Sequence, residues 1–147
     1  FDRQDNLITE SMSAMNTGFG ITYVLPILVA VLSAKKDALI LIENPEAHIH
    51  PKGQAVLMKL IAKAVHAGIQ VVIETHSDHI VNGSLVAVNQ DLINKEELSL
   101  YFFDRDEHKH VAKAHQLHVE EDGHIHPAPP MNFFDQIEID LRTLAGF

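Results

Sequence analysis

Cysteine is missing from all 147 residues, which excludes disulfides and thiolate zinc sites and fits a reducing cytoplasm. Missing too is any uninterrupted apolar run near the roughly 18 residues that a membrane span needs. The longest candidate, Ile21–Leu32, is broken by Thr22, Tyr23 and Pro26, so no membrane partner is expected. Basic residues are scarce: 11 Lys and Arg stand against 20 Asp and Glu, a net charge of −9 with histidines neutral. That balance argues against a nucleic-acid surface, because phosphate binding draws on clustered Lys and Arg. The opening "FDRQDNLITE" has neither an initiator Met nor a signal-peptide pattern, and reads as the middle of a longer protein. No internal repeat or low-complexity tract occurs. What remains is a chain of one-domain length with 46% hydrophobic residues, enough for a core.

Local patterns divide it. Residues 1–17 give no firm element. "TGFG" (17–20) precedes Ile21–Ser33, a helix with an early Pro26 and apolar positions nearly all round, expected to be buried. Ala38–Ile42 is a short aliphatic run of the kind found in a buried parallel strand. Gln54–His66 places apolar residues at 56, 57, 60, 61, 64 and 65, an amphipathic helix stopped by Gly68. "IQVVIET" (69–75) is a second buried strand, and Ser77–Asn82 opens a further helix with Ser77 as cap. A short helix closes over Glu96–Leu98, and "LSLYFFD" (98–104) is a third strand. The order strand–helix–strand–helix–strand predicts an α/β fold, a mostly parallel sheet flanked by helices. After a soft boundary near 105 the pattern changes. "HVAKAHQLHVEEDGHIHP" alternates, with a hairpin turn at Asp122-Gly123, and "FFDQIEIDLRTLAGF" reads as a closing amphipathic helix.

In open α/β sheets, ligands bind beyond the carboxyl ends of the strands. Three such ends carry acids here: Glu43, Glu74 and Asp104. A stiff strand aims a carboxylate, which suits a hard cation such as Mg²⁺. The plainer reading is that each acid marks where a strand meets water; three together favour the functional one. His76 follows the second strand and can donate to a phosphate oxygen once its other nitrogen is fixed; alone it would read as a histidine bonded to backbone near a helix start. The glycines of "NTGFG" (16–20) allow close backbone approach to a phosphate at a helix N-terminus, or simply cap a core helix.

"LILIENPEAHIHP" (39–51) followed by "VVIETHSDHIVN" (71–82) closely resembles the C-terminal half of ABC-type ATPase domains. Within these it is similar to bacterial AAA-family ATPases of the OLD and SMC-like group, in a subgroup with an ENPEAHLHPKGQ-like motif and a C-terminal domain of unknown function. The resemblance covers about residues 14–104 by motif, and the "FFDQ" tail resembles the subgroup's ending. It implies that residues 1–105 form the C-terminal lobe of a P-loop ATPase and that 106–147 are a small extension with a β-hairpin and helix. Glu43 stands at the Walker B position and would hold Mg²⁺, usually through water. Asn44 stands where a catalytic glutamate is usual, and Glu46–His50 corresponds to the loop that crosses the dimer interface. His76 takes the switch-histidine position against the γ-phosphate, and Gly18 and Gly20 stand in the signature stretch. Implied partners are ATP, the chain's own N-terminal P-loop lobe, a second copy joined through ATP, and a nuclease or DNA.

The sequence departs from that pattern. Nothing matches GxxxxGK[ST], so no phosphate-cradling loop is present and the chain alone should not hydrolyse ATP. Asn44 is an amide and cannot act as a general base; Glu46 or Glu74 could substitute. The signature serine-glycine pair is replaced by Gly18, Phe19 and Gly20. A second reading is a Toprim-like metal nuclease using Glu43 with Asp104 and Asp106 after the third strand, which leaves "EAHIHP" and "THS" without roles. A third is a docking or dimerisation module. The histidines 108, 110, 115, 118, 124 and 126 cluster in the alternating region, where three imidazoles on one face could bind zinc. The absence of HExxH-like spacing favours a solvated polar face.

Overall fold

The computed structural model describes residues 19–106, 110–130 and 133–146. Helix α1 (Phe19–Ser33) precedes strand β1 (Leu39–Glu43), helix α2 (Pro51–His66), strand β2 (Gln70–Glu74) and helix α3 (Asp78–Asn89). A 3₁₀ turn at Lys95–Glu97 leads to β3 (Leu100–Asp106), β4 (Val111–Leu117) and helix α4 (Gln136–Ala145). β1 and β2 pair in parallel, Leu39 with Gln70 through Glu43 with Glu74. β3 and β4 form a separate antiparallel pair. The fold is mixed α/β.

α2 is the central element because its ends are strongly specified. Pro51 opens it with a pre-set φ, and His50 Nδ1 accepts the Lys52 N–H at 3.3 Å. At the other end Gly68 adopts φ +90°. Its N–H donates to Val65 O at 2.8 Å, and the Ile69 N–H reaches back to Ala64 O at 3.1 Å. That is the Schellman arrangement, and buried Ile69 and Ala64 supply its apolar contact. The helix is thereby delivered straight into β2. Leu57, Met58, Ile61 and Ala64 meet Ile42, Val31, Ile69 and Ile80 in the main core, with Ile40, Val71 and Ile73 packed against it. Ala62 faces Ala87, Val88 and Ile93 in a second cluster. Relative to the expected stripe, Met58 and Ala62 join the buried face, whereas Val56 is 62% exposed.

Two expectations need correction. The third strand does not extend the parallel sheet. Only residues 107–110 separate β3 from β4, and so short a link joins antiparallel neighbours, whereas parallel pairing needs a long crossover. The strands are therefore divided between a parallel pair and an antiparallel pair and do not form one mostly parallel sheet. Nor are α1 and β1 buried all round. Side chains alternate across a strand, so Ile40, Ile42, Val71 and Ile73 face the core while Leu39, Leu41 and Val72 point the other way and are exposed. On α1, Val24, Ile27, Leu28 and Val31 pack inward, leaving Tyr23, Val29 and Leu32 open. The helix over 136–145 forms as expected, with Ile137, Leu141 and Leu144 exposed.

The Asp122-Gly123 turn is present, closed by the Gly123 N–H on Glu120 O at 2.9 Å and flanked by a Val119–Ile125 bridge. Asp122 Oδ1 accepts the His124 N–H at 3.0 Å, and His124 Nδ1 lies 3.2 Å away. The backbone donor, with help from the His124 ring, holds this carboxyl below its ordinary value of 3.8.

Gly68→Ala forces a Cβ into positive φ and should lower stability by about 1–2 kcal/mol, read as a lower urea midpoint with an unchanged slope. The lowered Asp122 carboxyl makes a second prediction. Its contribution to the turn is present above pH 3.8 and is lost as pH falls through the lower folded value. Carbon-detected NMR titration should place the Asp122 midpoint below 3.8; a midpoint at or above it would refute the assignment.

Candidate functional site

The parallel register decides what meets at the carboxyl end of β1–β2. Glu43 and Glu74 are Cα partners on adjacent strands, so both continue the exposed Leu39, Leu41 and Val72 face. Like charges directly opposite one another are unfavourable without a cation between them or beside them. His76 supplies one neighbour: its Nε2 lies 3.2 Å from Glu74 Oε1, with the His76 side chain 83% exposed and that of Glu74 53% exposed. Of the residues singled out from sequence, Glu43, Asn44, Glu74 and His76 are thus brought together at one sheet end.

The chain turns sharply after Glu43. The Asn44 N–H donates to Glu74 O at 3.0 Å, extending the ladder by one rung, and Asn44 then adopts φ +47°. Asn tolerates this left-handed region far better than a longer side chain such as Glu, which gives Asn44 a conformational reason to stand here. Pro45 is fully buried. Turns follow, with the Ala47 N–H on Asn44 O at 3.1 Å and the Ile49 N–H on Glu46 O at 3.0 Å. His48 also has positive φ, +59°.

Sequence reasoning left Glu46 as a spare base. Its carboxylate is committed: Oε2 accepts from Thr75 Oγ1 at 2.7 Å, and Oε1 accepts the His76 N–H at 2.9 Å. Behind it lies a buried pair, Ser77 Oγ donating to Gln54 Oε1 at 2.6 Å, with Gln54 Nε2 donating to Ile49 O at 2.9 Å. Ser77 Oγ also accepts the His79 N–H at 3.2 Å, capping α3 as expected. No buried side-chain polar atom among the described residues lacks a partner. The polar Gln54 on the buried face of an otherwise apolar α2 was the signal for this network, visible in sequence but not interpretable without its partners.

α1 reaches the same corner. An ideal Cβ on Gly20 would lie 2.7 Å from His48 O, and the Tyr23 and His48 rings stack at 4.8 Å. The missing side chain of Gly20 is therefore filled by the β1–α2 loop, a packing reason for glycine at this position. Gly18 lies outside the described residues. An open groove of about 320 Å³ between α1 and β1 is lined by Tyr23, Pro26, Ile27, Leu41, Glu43 and Asn44, among others.

Asp104 is elsewhere. It sits within β3 opposite Lys113, in a sheet that contains neither Glu43 nor Glu74, and the side chain of Asp106 lies outside the described residues. The third strand-end acid thus stands in a different sheet from the other two, and nothing favours a nuclease site shared between Glu43 and Asp104. The histidines of the C-terminal segment scatter. His115 packs near Phe102, His124 pairs with Asp122, and His110 Nδ1 lies 3.5 Å from Arg105. His108 is outside the described residues. Among those described, no three His, Asp or Glu side chains gather as a metal cage, and no helix is long and apolar enough to cross a membrane.

Two family profiles match the chain. The AAA ATPase domain matches residues 5–81, which carry α1, β1, α2, β2 and the start of α3. A protein of unknown function (DUF3696) matches residues 93–144, which carry β3, β4 and nearly all of α4. No curated protein and no solved structure matches it. With more than half of its length matched, and the acids and histidine gathered at the exit of a parallel strand pair, the chain belongs to the AAA ATPase domain family.

Proposed function

We propose that this chain forms one side of the nucleotide site of an ABC-type ATPase of the OLD and SMC-like kind. Family membership implies ATP and usually Mg²⁺. The observation that supports the finer reading is the convergence of Glu43, Glu74 and His76 where two adjacent parallel strands end, the position at which open α/β sheets receive ligands.

The donor set fits Mg²⁺. The ion keeps several waters and takes one or two carboxylates together with phosphate oxygens, so it needs no all-protein cage. Exposed Glu43, with Glu74 beside it, offers that much and no more. Glu43, in the Walker B role, would hold such an ion, whose chemistry when bound would be to offset charge on the phosphates. His76 donates a hydrogen bond to a γ-phosphate oxygen, its ring steadied by Glu74. Asn44 orients the attacking water and accepts no proton, while Glu74, exposed beside His76, is the carboxylate we assign to accept one.

In this reading the phosphate-cradling loop, for which the chain carries no GxxxxGK[ST], would come from an N-terminal lobe of the same protein. The exposed apolar face of Leu39, Leu41 and Val72 suits that packing. Two copies then close on ATP, with Gly20 and the loop 44–50 toward the dimer interface. Opening and closing follow nucleotide state. Coupling to a nuclease or DNA rests on family analogy.

His76→Ala in the full-length protein should lower ATP turnover about 100-fold, the scale of losing one well-placed donor to a developing charge, with its circular dichroism retained. Unchanged turnover in a folded variant would remove His76 from this role and with it the reading of the site.

A further inference from the structure

The loop after β1 and the segment after β2 are joined by a closed ring of hydrogen bonds that the nucleotide chemistry above does not use. Glu46 accepts from Thr75 Oγ1 and from the His76 N–H. Thr75 Oγ1 accepts the Ser77 N–H at 3.0 Å, and Ser77 Oγ donates to Gln54 Oε1. Gln54 Nε2 donates to Ile49 O, and the Ile49 N–H returns to Glu46 O. Gln54 and Ser77 are buried within this ring.

His76 is held unevenly. Its backbone is fixed by a carboxylate, while its imidazole stands 83% exposed beside Glu74. A side chain tied at its root and open at its tip is one whose direction is set from behind. We propose that Glu46 is a positioning residue for His76: its carboxylate holds the Thr75 hydroxyl and the His76 N–H, and so makes the loop 44–50 and the histidine move as one unit. The proposal rests on the reading of His76 given above and deepens it.

The chemistry asks for a carboxylate. Two donors from one segment must be met by two acceptor oxygens on one side chain; an ionised Glu is acceptor-only and offers both, in charge-assisted bonds stronger than neutral ones. Gln supplies one neutral acceptor oxygen and an NH₂, which gives up the charge-assisted bonds and would require the Thr75 hydroxyl, already accepting the Ser77 N–H, to accept again rather than donate, and Asp is one methylene shorter. With both oxygens occupied by donors, Glu46 is not the spare general base.

Two measurements test this. In the nucleotide-free protein, Glu46→Gln and Glu46→Ala should speed amide hydrogen exchange at His76 by at least about tenfold, with secondary structure unchanged. In the full-length protein, Glu46→Gln should lower kcat with little change in KM. The double variant E46Q/H76A should then be no slower than H76A alone within about twofold, because the two residues act through one group. Unchanged exchange at His76 in folded Glu46→Gln overturns the proposal, as does a double variant slower than H76A by the full E46Q factor. Should Glu46→Ala not fold, the near-isosteric Glu46→Gln decides. A wild-type protein without ATP turnover, or an H76A variant at full rate, overturns the proposed function instead, and the exchange result still decides whether Glu46 holds His76.

Discussion

The parallel register of β1 against β2 is the constraint on which the rest depends. It is set by four side chains, Ile40, Ile42, Val71 and Ile73, that must face α2 and its core. Strand side chains alternate with a period of two, so a slip of one residue on either strand would send that strand's apolar residues to the wrong face. The same alternation sends Leu39, Leu41 and Val72 outward and brings Glu43 level with Glu74. The core thus specifies the acid pair, although neither acid takes part in the core. α2 enforces this by running from the loop after β1 to the Schellman turn that begins β2, so its length and caps fix how far one strand is offset from the other.

Around that pair the polar residues divide by burial. Gln54 and Ser77 are buried and saturated with partners, and a neutral hydrogen-bonded pair there avoids the cost of burying a charge. Breaking it by removing one partner would strand the other at about 1–3 kcal/mol. Glu46 and Thr75 are half-buried and spend their groups on each other and on the backbone. Glu43, Asn44, Glu74 and His76 lie outside this shell and are exposed. The inner groups hold shape and the outer ones remain accessible, which is the layering expected where side chains must be aimed at something not yet bound.

Sequence carried the local part of this. The aliphatic run ending at Glu43, the periodic stretch stopped by Gly68 and the cap at Ser77 are each decided within a few residues, and each element formed where its pattern stood. The recurrence of acids at strand ends also singled out Glu43 and Glu74, which the register pairs. What failed was nonlocal. An apolar strand such as 98–104 does not say with whom it pairs; β3 took its nearest neighbour, the alternating segment over 111–117, so Asp104 stands in a different sheet from Glu43 and Glu74. An all-round apolar helix does not say which faces are covered, and α1 leaves Tyr23, Val29 and Leu32 open. The commitment of Glu46 was illegible because its partners, Thr75 and His76, lie some thirty residues away.

Asn44 shows how conformation and chemistry can be argued against each other at one residue. Were the position free to take any backbone angles, an amide in place of a carboxylate would be purely a chemical loss, since it cannot accept the proton of an attacking water. The position is not free: its N–H completes the ladder to Glu74 O, its φ is +47°, and Pro45 immediately after it is fully buried. The backbone therefore favours a short side chain that tolerates the left-handed region, and Asn does so at little cost. A carboxylate at the same position would also add a third negative charge beside Glu43 and Glu74, where the His76 ring lies against Glu74. Both the turn and the local charge thus favour the amide, and of the two carboxylates offered in its place the geometry distinguishes one that is exposed and not already bonded to backbone donors. Between Glu46 and Glu74, only Glu74 meets that description.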